Sequence, residues 1–140
     1  MKNEDKQLLL KDLCARLPYG VKVESVFINP DTIERKPCGI EVFNATCLLM
    51  IRDGLGEFKP YLFPLSSMTE EQLFEVRQIL GNDWEIETVF IHLNTADVVS
   101  RTLSYLELQA LFDWFNKNHF DYRGLIPMGL ANNAVGLNIY

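Results

Sequence analysis

The sequence predicts an α+β fold: a mostly antiparallel sheet of four to five strands, in its sharper variant curled or barrel-like, with about three helices packed against it. Three observations carry that expectation. β-branched and aromatic segments follow one another between Val21 and Phe63 with only turn residues between them, whereas apolar residues recur at helical spacing on either side of that stretch. The 140 residues, 48% hydrophobic and 23% charged, suit one core, so residues 1–140 read as a single globular domain. With no helix between the first strands, a doubly wound α/β fold is the weaker alternative.

Asn3 is a helix cap, followed by Glu4 and Asp5 where the helix dipole favours negative charge. Leu10, Leu13, Cys14 and Leu17, flanked by Leu9, then form an apolar face, and Pro18-Tyr19-Gly20 ends the helix. Cys14 is expected inside that face as a small buried hydrophobe. Val21 to Ile28 is a strand closed by Asn29-Pro30-Asp31, and Asp31 to Gly39 is a polar loop. Ile40–Phe43 and Thr46–Arg52 read as strand, the run Cys47–Ile51 being apolar enough for a central position. Asp53-Gly54-Leu55-Gly56 makes a hairpin connection to 58–63, where Pro60 points to an edge.

Thr69 and Gln72 form a capping box for a second helix, which buries Leu73, Val76, Ile79 and Leu80 and stops at Gly81-Asn82. Trp84 to Leu93, including His92, returns to strand character, and residues 94–103 are ambiguous. Ser104 with Glu107 caps the clearest helix, whose apolar face holds Tyr105, Leu108, Leu111, Phe112 and Phe115, with Gln109, Asp113, Asn116 and Lys117 opposite. Extended to His119, that helix stops before Gly124. In the tail, Val135, Leu137 and Ile139 alternate as a last strand would.

Three blocks, LLLKDLCARLPYGV at 8–21, KPYLFPLSSMTEEQ at 59–72 and DWFNKNHFDYRGLIPMGLA at 113–131, resemble a family of small uncharacterised proteins of anaerobic gut bacteria and their phages and prophages. The segments between the blocks vary among members. Where relatives more often read KPYLRPMSSMT, Phe63 and Leu65 depart, so an Arg-dependent role at that position has no counterpart here. The resemblance implies an accessory role in a mobile element and brings no activity, cofactor or catalytic residue with it.

The net charge of −6 and scattered Lys and Arg disfavour nucleic acid as a partner. Three cysteines without a CxxC pair suggest neither a disulfide framework nor structural zinc, and no apolar run is long enough to span a membrane. A cytoplasmic protein without cofactor or metal is expected. Glycine-rich nucleotide loops, HExxH and GxSxG are missing from the sequence.

The densest chemistry is the corner His119, Asp121, Tyr122 and Arg123, offering a base, an acid, a hydroxyl and an anion clamp. Its bland reading is a structural corner, with His119 capping or packing, Asp121 and Arg123 pairing, and Tyr122 buried by its ring. Trp114, at the shoulder of the last helix's apolar face, is a further candidate for a ligand or partner site; with Tyr61, Phe63, Trp84 and Tyr122 it forms an aromatic surface if exposed and a core if not. The expected function is a non-catalytic interaction or accessory protein of phage or prophage origin, contacting an unknown protein or itself. The alternatives are a small enzyme or ligand-binding protein using the 119–123 corner, and a single-stranded nucleic-acid binder using sheet aromatics.

Overall fold

The computed structural model describes residues 2–80 and 105–140. In chain order these form α1 (Asn3–Arg16), β1 (Lys22–Ile28), β2 (Arg35–Val42), α2 (Ala45–Arg52), β3 (Gly56–Pro64), α3 (Glu70–Leu80), α4 (Tyr105–Lys117), β4 (Phe120–Asp121) and β5 (Asn132–Asn133). The expected strand Trp84–Leu93 with His92, the stop at Gly81-Asn82 and the cap at Ser104 lie outside the described residues.

The α+β class holds. The sheet runs β2-β1-β3-β4, with β5 also on β3, and among the described residues it is not closed, so the barrel-like variant is corrected. It is also mixed: the long ladders β1–β2 and β1–β3 are antiparallel, whereas the two-residue strands β4 and β5 join β3 in parallel. β3 changes partners at Pro60, pairing with β1 over Gly56–Pro60 and with β5 and β4 over Tyr61–Pro64.

The direction of the ladder groups explains how two prolines sit in this sheet. The Phe43 N–H donates to Val21 and the Asn29 N–H to Glu34, so the odd-numbered residues of β1 turn their backbone groups toward β2; the Ile28 N–H donates to Leu55, so the even-numbered ones face β3. Pro60, opposite Val23, therefore has its nitrogen turned away from β1, and Pro37, paired with Val26 beyond a bulge, has its nitrogen on the outer edge of β2. Neither proline removes a bond from the ladders. Pro60 thus has an edge-like environment although β3 is an inner strand.

Two elements differ from expectation. Thr46–Arg52, expected as strand, belongs to α2: Asn44 accepts the Cys47 N–H at 3.2 Å as a side-chain cap, and the run buries Cys47 while leaving Leu49 exposed. A five-residue apolar run looks the same in a buried strand and in a short helix. The expected loop Asp31–Gly39 becomes strand from Arg35 onward, pairing with β1 through exposed residues that show no buried face.

α1 presents a face other than the leucine stripe expected. Asp12, Leu13 and Arg16 are buried with Leu8, Leu9 and Leu17 beside them, while Leu10 and Cys14 are exposed. Two cores result. One gathers Leu13, Val21, Val23, Phe43, Cys47, Phe58 and Leu62 under α1 and α2; the other joins Val76 and Leu80 of α3 to Leu111 and Phe115 of α4, Phe120 and Tyr122. The capping box of α3 forms, Gln72 N–H to Thr69 Oγ1 at 3.2 Å and Thr69 N–H to Gln72 Oε1 at 2.9 Å. On α4, Gln109, Asp113 and Lys117 are exposed as expected, but Asn116 is buried. The helix ends at Lys117 because His119 adopts the left-handed conformation, φ 63°. Val135 and Leu137 are exposed and outside any strand, so the expected tail strand reduces to β5.

Candidate functional site

The 119–123 corner is a turn and a short strand between α4 and β3. Left-handed His119 reverses the chain so that its carbonyl accepts the Phe63 N–H at 2.8 Å and Phe120 enters β4. The four side chains then separate.

His119 points toward the chain end and stacks on Tyr140. The Tyr140 hydroxyl donates to the Tyr61 carbonyl at 2.7 Å and accepts the Lys22 N–H at 2.9 Å, and the Lys22 ammonium donates to the Ile139 carbonyl. Burial, aided by the charges of Arg16 and Lys22, pushes the His119 pKa down to about 4, so the imidazole is neutral at pH 7. Its Nδ1 is buried without a hydrogen bond.

Asp121 folds back on its own loop, its two carboxylate oxygens accepting the Leu125 and Ile126 N–H groups at 2.8 Å each. This is a turn lock.

Tyr122 and Arg123 meet α1. Asp12, fully buried, accepts Arg16 Nε at 2.8 Å on one oxygen and Arg123 Nε at 3.1 Å on the other. Arg16 also donates to the Phe120 carbonyl at 2.7 Å, and Arg123 to the Tyr122 hydroxyl at 2.9 Å. The Tyr122 ring lies against Phe112 and Phe115 and near both guanidinium groups, 5.4 Å from Arg16 and 4.8 Å from Arg123. Thus an Arg-Asp-Arg triad joins the first helix to the segment that follows β4, at the seam between the two cores. Arg16 Nη1 is buried without a hydrogen-bond partner among the described residues, and of the three side chains Arg123 alone, 19% exposed, reaches the surface.

Asp12 and Arg16 were not singled out in the sequence. Their signal was there: an acid and a base four residues apart, interleaved with Leu8, Leu9 and Leu13 on what becomes the buried face. Trp114 is half-buried, stacked on Phe120 with centroids 5.5 Å apart, and its indole N–H donates to Glu75 Oε2 at 2.9 Å, tying α4 to α3. Tyr61 and Tyr122 are buried and Phe63 is half-buried; Trp84 lies outside the described residues. Those aromatics that are described therefore pack in or beside the cores.

Exposed apolar residues occur on the helices and tail and also along the β1–β2 hairpin and its tip. All eight residues of β2 are exposed, Ile40 by 50% and Val42 by 47%, with Phe27 and Ile33 nearby in sequence. A groove of about 530 Å³ lies beside this hairpin, bounded by Leu9, Leu10, Val26 and Phe58 with Lys6 and Lys59 at its rim. Among the described residues no group of three or more His, Cys, Asp or Glu side chains is placed to hold a metal, and no helix is long and apolar enough to cross a membrane. In comparisons with known proteins, no family model, curated protein or solved structure matches the chain.

Proposed function

We propose that this protein is a non-catalytic interaction module, a cytoplasmic accessory protein of phage or prophage origin that works by contacting another protein chain. The observation that carries the reading is β2: an edge strand exposed along its whole length, bearing Ile40 and Val42, with an outer edge that no other described strand pairs. Such an edge is a template for strand addition, in which main-chain bonds give affinity and alternate side chains give selectivity. The polar corner favours the same reading. His119, Asp121 and Arg123 are each committed to separate structural contacts, so a convergent catalytic set would require dismantling them.

The test is affinity capture from the native host during prophage induction, comparing wild type with an Ile40→Lys/Val42→Lys variant of unchanged thermal stability. A protein, whether a host or phage partner or a second copy of this chain, retained by the wild type and lost by the variant is the expected result. Equal capture by both would overturn a role for β2 in partner binding.

A further inference from the structure

Resting on that reading, we infer that the occupant of the β2 edge is a second copy of this chain, paired antiparallel about a two-fold axis through Cys38–Gly39. Strand addition requires that outward-facing backbone groups on the two edges line up. Gly39 and Glu41 lie opposite odd-numbered β1 residues and spend their backbone groups on β1, as does Lys36 opposite Phe27; the groups left on the outer edge are those of Arg35, Pro37, Ile40 and Val42. The bulge between the two halves of the ladder produces this change of parity.

The outward set is self-complementary. With Arg35 opposite Val42 of the second copy and Pro37 opposite its Ile40, every outward residue meets another outward residue. Pro37 has no N–H to give, yet its carbonyl still accepts the Ile40 N–H. In the same register Lys36 falls opposite Glu41 of the second copy, in both halves of the interface, on one face of the extended sheet.

The charges needed for that pairing are available. Lys36 has no ion pair among the described residues, whereas Arg35 is already held by Glu57 across β1, which rules it out as the cation for Glu41. Glu41 accepts the Cys47 thiol at 3.3 Å through Oε1, which steadies the carboxylate and leaves Oε2 free to accept. On the opposite face Pro37, Ile40 and Val42 of the two copies form one apolar strip, covering side chains that are half exposed in the single chain. Shifting the register by one residue sets outward groups against inward ones and turns every side chain to the wrong face. A strand-to-strand contact buries little area, so the dimer forms and dissociates in the micromolar to millimolar range.

The experiment is sedimentation velocity on the full chain across that concentration range. Wild type is expected to show a monomer–dimer equilibrium; Lys36→Glu and Glu41→Lys each raise Kd at least about tenfold by placing like charges opposite one another, and the double exchange Lys36→Glu/Glu41→Lys restores it. Lys36→Glu breaks no ion pair or side-chain hydrogen bond among the described residues, so it reports on the interface even if Glu41→Lys disturbs Cys47. A wild type that is monomeric throughout, or a double exchange as weak as the single variants, overturns the second-copy pairing. Capture of a different protein through Ile40 and Val42 would then leave the interaction-module reading standing on its own.

Discussion

The imidazole of His119 lies flat on the phenol ring of Tyr140, with ring centroids 3.8 Å and planes 12° apart. This stack encloses a base that must stay neutral. The folded-state pKa is about 4 and the ordinary value about 6.5, so the unfolded chain binds the proton first as pH falls. Above pH 6.5 the group is neutral in both states and costs nothing. Between pH 6.5 and 4 the folded state is progressively destabilised, and below that the cost is constant. A His119→Phe variant keeps an aromatic stack and cannot titrate. In urea unfolding at pH 7, 5.5 and 4, wild type is expected to lose stability relative to this variant as pH drops; parallel curves would show that the imidazole is not enclosed.

Asp12 holds two guanidinium groups at the seam of the molecule. Asp12→Ala leaves Arg16 buried without a counter-charge and is expected to cost about 3–5 kcal/mol, the range for removing one member of a buried ion pair. Replacing the pair together, as Asp12→Leu/Arg16→Met, is expected to cost less than the sum of the single changes. Chemical denaturation of wild type, Asp12→Leu, Arg16→Met and the double variant completes the cycle. An Asp12→Ala cost below about 1 kcal/mol, as surface pairs give, would mean that the triad is not buried in solution.

Along α4 the two ends of the burial scale stand close together. Phe115 is fully buried between α3 and Tyr122, whereas Leu106 is 76% exposed. Phe115→Ala is expected to cost about 3–5 kcal/mol and Leu106→Ala within about 0.5 kcal/mol of zero. Similar losses for both would place the helix in the wrong rotation.

Thiol titration distinguishes the three cysteines. Cys14 and Cys38 are exposed, while Cys47 is 2% exposed and burial raises its pKa. Two thiols are expected to react with an aromatic disulfide reagent quickly in the native protein and the third only on unfolding. Alanine replacement of Cys47 should remove the slow phase alone.

Much of the framework was legible because local chemistry and burial agreed. α3 starts at the Thr69 capping box, β1 alternates as its burial does, and Leu111 and Phe115 of α4 face the core as their spacing required. The errors have a common cause in tertiary partners that a sequence pattern does not display. Cys47–Ile51 could be strand or helix until the Asn44 cap is weighed. The leucine spacing puts Cys14 on the buried face of α1, whereas Asp12 and Arg16 are buried there instead: they pair with each other, and Asp12 also with Arg123, more than 100 residues away. The residues of the 119–123 corner are neighbours in sequence, but left-handed His119 and the fold-back of Asp121 send its side chains in separate directions, which no spacing rule describes.

The change of partner in β3 has a consequence for the order of assembly. The β1–β2 hairpin closes through a short loop and the β1–β3 pair through the segment carrying β2 and α2, so both can form as soon as residues 22–60 are available. Tyr61 to Pro64 have no such local solution: their partners are residues 120–121 and 132–133, across the longest closures in the described sheet. A growing chain that has reached Leu80 therefore carries a finished three-stranded sheet in which the end of β3 still shows unpaired amides and carbonyls. Assembly is completed by the two shortest strands, and the rate at which they arrive decides how long that edge is open to other chains.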